Sequence, residues 1–173
     1  MANKLRELLL VRHAKSDWSQ PDQLDIDRPL SDKGKKSAKK IGRWLQDKGL
    51  MPDLILVSPA QRAQQTLRRI CSECPASSQT IDALYMAELV TLKQILAQIS
   101  DANRVMVIGH NPGLEKLFCY LQNKPLTGDL HLFPTAAVAH FVLPENWQNL
   151  EPGDGILQQF IRPKDIKQPV LFA

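Results

Sequence analysis

The 173-residue chain contains few cysteines and no long apolar run, and both features limit the classes of protein to which it can belong. Three cysteines, Cys71, Cys74 and Cys119, are too few for the disulfide framework of a small secreted protein. No apolar stretch is long enough to cross a membrane, and the first residues lack the apolar core of a signal peptide. We therefore expect a cytoplasmic protein that does not associate with membranes.

Cys71 and Cys74 are separated by only two residues, a spacing that also occurs in metal and redox sites. The pair extends an apolar stripe at helical period, and no second cysteine pair accompanies it. We therefore expect these two side chains to pack in the core.

The chain also lacks a basic tract interleaved with aromatic residues, although its formal charge is +4 and its pI is about 9.0. This mild excess suits an anionic substrate but does not indicate a nucleic acid partner. The lysines between Lys33 and Lys40 fall on a predicted helix whose other face is apolar, so we expect a solvated face. Repeats and low-complexity segments are also missing. The length predicts one domain over residues 1–173, and without a long exposed apolar stripe we expect a monomer.

Short apolar runs alternate with helical patterns along the chain. The predicted strands are 8–11, 54–57 and 105–108, with two later strands, 136–143 and 156–161, nearer an edge. Helices are predicted from Ser31 to Gly49, over about 60–74, around 92–99 and over 114–121, with a turn-rich connection at 72–79. This alternation predicts the α/β class, as a three-layer α/β/α sandwich with a central, largely parallel (mixed) sheet.

Three of the predicted strands end in polar side chains. Arg12 and His13 end the first, Ser58 follows the second with Arg62 shortly after it, and His110 with Asn111 follows the third. In parallel sheets, ligands bind beyond the carboxyl ends of the strands, so these residues should line one crevice. Ser58 itself is better explained as the cap of the next helix, with Pro59 at the first helical position.

Two arginines and two histidines in one crevice predict a phosphoryl site, because arginine binds phosphate oxygens through two N–H groups. His13 is the candidate nucleophile, since a neutral imidazole can attack phosphorus and nearby arginines disfavour its protonation. Neither histidine has a cysteine or carboxylate at metal-ligand spacing, so no metal is expected. Glu88 and Asp17 both remain candidates for the proton donor.

Five segments resemble motifs of the histidine phosphatase superfamily, in its small phosphohistidine phosphatase (SixA-type) branch. In the family's order they are Val11-Arg12-His13-Ala14-Lys15-Ser16, Asp27-Arg28-Pro29-Leu30-Ser31 followed by Gly34, the segment 58–66 around Arg62, Gly109-His110-Asn111-Pro112-Gly113, and Phe133-Pro134-Thr135. Ala14 stands where many members have glycine.

The resemblance implies a phosphoglycerate-mutase-like sandwich that works without a metal or other cofactor. It also implies that His13 becomes phosphorylated and that the side chains of Arg12, Arg62 and His110 bind phosphate. In larger members a glutamate lies between the second arginine and the second histidine. Glu88 falls in that interval, but the motif around that glutamate is absent here.

Ser16 and Asn111 are further candidates for phosphate contacts. The chain has little room for a substrate-covering insertion, so we expect a phosphatase that hydrolyses protein phosphohistidine through phospho-His13. The alternatives are a small-molecule phosphomonoesterase acting on sugar or metabolite esters, and a non-catalytic phosphate-binding module.

Overall fold

Six strands form one mixed sheet in a computed structural model that describes residues 4–126 and 133–167. The strands are β1 (Arg6–Arg12), β2 (Leu54–Val57), β3 (Ser77–Thr80), β4 (Arg104–Gly109), β5 (Val138–Leu143) and β6 (Ile156–Ile161). Their order in the sheet is β3-β2-β4-β1-β5-β6. β1 to β4 are parallel to one another, whereas β5 and β6 pair antiparallel. The predicted largely parallel, mixed sheet is therefore confirmed.

Within residues 4–126 and 133–167, four α-helices accompany the sheet: α1 (Asp32–Asp47), α2 (Gln61–Ile70), α3 (Leu89–Ala97) and α4 (Gly113–Leu121). The side chains of β1 alternate between two hydrophobic clusters. Leu8 and Leu10 belong to the cluster that contains the apolar faces of α3 and α4, while Leu9 and Val11 belong to the cluster that contains those of α1 and α2. The sheet is therefore covered on both sides, which confirms the α/β/α sandwich.

The first loop of the site is held by the start of α1. The Ser31 hydroxyl caps this helix by accepting a hydrogen bond from the Gly34 amide at 3.1 Å. A Cβ at Gly34 would collide with the Lys15 carbonyl oxygen, so the absence of a side chain allows α1 to approach the backbone that follows β1. Gly49, with φ +65°, follows the end of α1 as predicted.

The structure differs from the prediction in the segment after α2. This helix ends at Ile70, and the segment expected to be a turn-rich connection contains β3, an exposed edge strand. Cys71 and Cys74 pack on a hydrophobic cluster as expected, but their sulfur atoms also form a disulfide that was not predicted. The two later strands lie towards one edge of the sheet as expected, with β6 at the edge and β5 between it and β1. Within the described ranges, no helix is long and apolar enough to cross a membrane.

Candidate active site

The polar residues that follow β1, β2 and β4 meet at one edge of the sheet, as the sequence predicts. Arg12, His13, Arg62, His110 and Asn111 line a cavity of about 800 Å³. Arg62 enters it from the first turn of α2, where main-chain N–H groups also favour an anion. The cavity is therefore built from segments that are distant in sequence but adjacent in the parallel sheet.

The ring of His13 is fixed in one orientation. Its Nδ1 lies 2.8 Å from the Ala14 carbonyl oxygen, which can only accept, so Nδ1 carries the proton and donates it. The other nitrogen, Nε2, keeps its lone pair and accepts a hydrogen bond from Arg62 Nε at 3.3 Å. Burial, with the nearby His110, Arg62 and Arg12, lowers the pKa of His13 to about 3. His13 is thus neutral at physiological pH, with an unprotonated Nε2 whose lone pair accepts from Arg62.

His110 is also held as a neutral ring. Its Nδ1 lies 3.3 Å from Arg62 Nη2, and because a guanidinium only donates, Nδ1 must be the acceptor. The proton therefore sits on Nε2, which donates to Ser58 Oγ at 2.7 Å. Burial and the charge of Arg62 lower the pKa of His110 to about 4. Ser58 was expected to cap α2, but Ala60 is the N-cap, and the hydroxyl of Ser58 instead orients His110.

Arg12 and Asn111 are tied to the same main-chain oxygen. Arg12 Nη1 and Asn111 Nδ2 each donate to the Phe133 carbonyl at 3.0 Å, and the Asn111 amide also donates to Glu115 Oε2 at 3.1 Å. Ser16 lines the cavity as well, but its hydroxyl accepts a hydrogen bond from Arg28 Nη1 at 2.5 Å. Asn111 and Ser16 therefore lie at the predicted site, with the Asn111 Nδ2 and the Ser16 hydroxyl engaged by protein partners, whereas the buried Asn111 Oδ1 has no hydrogen-bond partner among the described residues.

Neither predicted proton donor faces the cavity. The carboxylate of Glu88 is exposed and forms an ion pair with Lys116 at 2.6 Å, and Glu88 is not one of the residues that line the cavity. Asp17 is also outside the lining, and its carboxylate accepts from the Ser19 amide. Neither carboxylate is therefore among the described residues that line the cavity beside His13, and the role of either group as proton donor stays a prediction.

Asp25 is a residue of the cavity that was not predicted from the sequence. Burial favours a raised pKa for its carboxyl group, but hydrogen bonds from Tyr85, Arg28 and Arg62 outweigh this effect and hold the pKa well below its usual range. The carboxylate is therefore ionised inside a cationic cavity. The spacing of three residues between Asp25 and Arg28 was the available signal, because it suits an ion pair across one turn.

The described residues contain no group of three or more His, Cys, Asp and Glu side chains arranged to hold a metal ion. The positive charge of the cavity comes instead from its lining side chains, which include Arg12, Lys15, Arg28, Lys33 and Arg62. Such a cavity is suited to a multiply charged anion such as a phosphoryl group.

Comparison with known proteins agrees with this chemistry. The family model described as "Histidine phosphatase superfamily (branch 1)" matches residues 8–88, a range that contains His13 and Arg62. An uncharacterised protein of Mycobacterium tuberculosis is 32% identical over 162 residues, which span 89% of this chain and 100% of that protein.

Two solved structures share the fold over nearly their whole length. A protein from Nakamurella multipartitia, assigned as phosphohistidine phosphatase SixA, has 27% identity and a TM-score of 0.79, covering 92% of this chain and 96% of its own. The protein histidine phosphatase SixA complexed with tungstate has a TM-score of 0.77 over 93% of this chain and 99% of its own. At 24% identity, this second likeness concerns the fold alone.

Proposed function

The chain belongs to the histidine phosphatase superfamily (branch 1), and we propose that it is a phosphatase that removes phosphoryl groups from histidine side chains of proteins. The proposed nucleophile is His13, and Arg12, Arg62 and His110 are the proposed phosphate-binding residues. The observation that carries the choice of a phosphohistidine substrate is the lack of a proton-donating carboxyl group among the described residues that line the cavity.

The proposed first step transfers the phosphoryl group to His13. The lone pair on Nε2 forms a bond to phosphorus while the bond between phosphorus and the substrate nitrogen breaks. The electron pair of the broken bond returns to the substrate ring. When the other nitrogen of that ring carries a proton, the ring leaves as neutral imidazole. Arg12 and Arg62 supply positive charge to the phosphoryl oxygens during the transfer.

The proposed second step is hydrolysis of phospho-His13. Water forms a bond to phosphorus while the bond from phosphorus to Nε2 breaks, which releases dihydrogen phosphate and restores the neutral ring. Nδ1 keeps its proton throughout, because it donates to the Ala14 carbonyl oxygen. The phosphoryl charge is balanced in both steps by side chains of the protein, so we propose that the reaction needs no metal ion.

The choice between a P–N and a P–O substrate depends on the leaving group. An alkoxide is strongly basic, so an ester requires a general acid, which typically contributes about 10²–10⁴-fold to the rate. Asp25 is the one carboxylate among the described lining residues, and its lowered pKa keeps it ionised. A protonated phosphohistidine needs no such acid, and this difference favours it over sugar or metabolite esters.

The rim of the cavity also suits a macromolecular substrate. Trp18 and Met86 line the cavity and expose 72% and 48% of their surface, and Leu24, next to Asp25, exposes 69%. Exposed apolar side chains around a polar pocket are typical of a protein-binding surface. This rim supports a phosphorylated protein as the partner.

The proposal is tested by comparing turnover of a phosphohistidine protein, free phosphohistidine and a panel of sugar phosphates. We expect preference for the P–N substrates, and a phosphoenzyme that is labile in acid and stable in base. His13→Ala should abolish both turnover and the phosphoenzyme, whereas Glu88→Gln should retain both. Preference for the sugar phosphates would instead indicate a metabolite phosphatase. If the wild type gives neither turnover nor phosphoenzyme, a phosphate-binding module is indicated.

A further inference from the structure

We propose that Asp25 is a positioning residue, whose carboxylate holds Arg62 so that one edge of the guanidinium faces both histidines. This inference rests on the proposed function of the cavity, because it assigns Arg62 to the phosphoryl oxygens. It adds a residue from the loop between β1 and α1 to the machinery of the site.

The guanidinium of Arg62 forms hydrogen bonds along two of its edges. Along the first, Nε donates to His13 Nε2 and Nη2 approaches His110 Nδ1, both at 3.3 Å. Along the second, Nη1 donates to the main-chain oxygen of Asp25 at 2.6 Å and Nη2 to Asp25 Oδ2 at 3.0 Å. Because the group is planar and rigid, fixing the second edge also fixes the direction of the first.

The carboxylate that fixes Arg62 is itself held by two other side chains. Arg28 donates to Asp25 Oδ1 through Nε at 3.1 Å and Nη2 at 2.7 Å. Tyr85 Oη donates to Oδ2 at 2.6 Å, from a segment 60 residues away. The guanidinium of Arg28 is buried and lies 3.5 Å from the centre of the Trp18 ring. Asp25 is thus a fixed anchor and not a freely rotating surface carboxylate.

A carboxylate beside a phosphate site needs a reason, because it repels the anion that the site binds. If Asp25 were only a neighbouring charge, its removal should tighten the binding of every phosphate-like anion equally. If it positions Arg62, its removal should weaken the binding of a transition-state mimic relative to that of the ground-state anion. The two roles therefore predict different outcomes for the same substitution.

The test compares the wild type with Asp25→Asn, which keeps the size of the side chain and removes its charge. Asp27→Asn is the matched control, because Asp27 lies in the same short 3₁₀ turn, is exposed and is not part of the cavity lining. We measure kcat and KM on the best substrate of the wild type. We also measure the affinities for inorganic phosphate and for vanadate, which adopts the five-coordinate geometry of phosphoryl transfer.

For Asp25→Asn we expect kcat to fall by about tenfold or more while KM changes by less than about threefold. We also expect the ratio of vanadate to phosphate affinity to fall by about fivefold or more. Asp27→Asn should leave all four quantities near the wild-type values. If Asp25→Asn does not fold, as judged by its Tm, Tyr85→Phe tests the same anchor and should shift kcat and the affinity ratio in the same direction.

The proposal is overturned if kcat stays within about twofold of the wild type, or if both anions bind more tightly by the same factor. These outcomes differ from a failure of the proposed function. A wild-type preference for metabolite esters would change the substrate used but leave the comparison of variants intact. The two anion affinities can be measured even on a protein that shows no turnover.

Discussion

Protonation of the two cavity histidines should make the protein less stable as the pH falls from neutrality. His13 and His110 have an ordinary pKa of 6.5 in the unfolded chain, but in the folded protein their pKa values are lowered to about 3 and about 4. Below pH 6.5 the unfolded chain therefore binds protons that the folded protein excludes. Stability is full above this pH and is lost as the pH falls from 6.5 towards the two folded values.

The size of the loss follows from the pKa values. Between about pH 7.5 and about pH 5, each histidine should lower the free energy of unfolding by about 2 kcal/mol, or about 4 kcal/mol for both. Both residues are less than one-tenth exposed, so solvent screening reduces this little. The carboxylates of Asp25 and Glu7 contribute little to the change over this pH range. Their pKa values are lowered in the folded protein, so the stability that they provide is lost only at more acidic pH.

The assay is urea denaturation, followed by far-ultraviolet circular dichroism, at both ends of this window. The variants His13→Asn and His110→Asn should each lose about 2 kcal/mol between the two pH values, and the double variant should lose almost nothing. The free energy of unfolding of each protein is compared between the two pH values, so any effect of a substitution that does not depend on pH cancels. A wild type that loses less than about 1 kcal/mol, or a double variant that loses as much as the wild type, would refute the reasoning.

Three further substitutions test other parts of the site. Glu88→Gln should keep turnover within about threefold of the wild type, because its carboxylate pairs with Lys116 outside the cavity; a loss of 100-fold would restore it as the proton donor. Gly34→Ala should lower the free energy of unfolding by about 2 kcal/mol or more in urea denaturation, since the added Cβ meets the Lys15 carbonyl; unchanged stability would contradict this packing. Arg12→Lys should lower kcat/KM by about 100-fold, because lysine keeps the charge but loses the two-pronged phosphate contact; a change below about threefold would show that charge alone is sufficient.

The sequence predicted the fold and the convergence of Arg12, His13, Arg62 and His110 for a simple physical reason. Buried parallel strands are continuous apolar runs, and the ends of such runs can be read directly from the chain. Once the strands are parallel, their carboxyl ends must share one edge of the sheet. The edge strand β3 was missed because its four residues are polar and exposed, so no apolar pattern marks it. It is held by main-chain pairing with β2, which any sequence can provide.

The network around Asp25 could not be predicted from the sequence, because it depends on where loops place side chains. Tyr85 reaches Asp25 across 60 residues and Arg62 reaches it across 37, and no local periodicity records such pairs. Glu88 was a candidate proton donor because it lies in a suitable interval of the sequence, but it is not among the described residues that line the cavity. Position along a loop does not fix the direction of a side chain, and this one pairs with Lys116 on α4.

The arrangement links two requirements that are usually considered separately. A histidine nucleophile must be neutral, and a phosphoryl site must be positive. Burial is the largest cause of the lowered pKa of His13 and of His110, and the arginines add to it, because their charge disfavours protonation of both rings and is also available to the phosphoryl oxygens. The ionised Asp25 offsets part of this charge, and because its carboxylate binds the same Arg62 Nη2 that contacts His110 Nδ1, it opposes the lowering of the His110 pKa. Removing Arg62 would therefore weaken phosphate binding and ease protonation of the nucleophile at once, so this one side chain contributes both to the activation of the nucleophile and to the capture of the substrate.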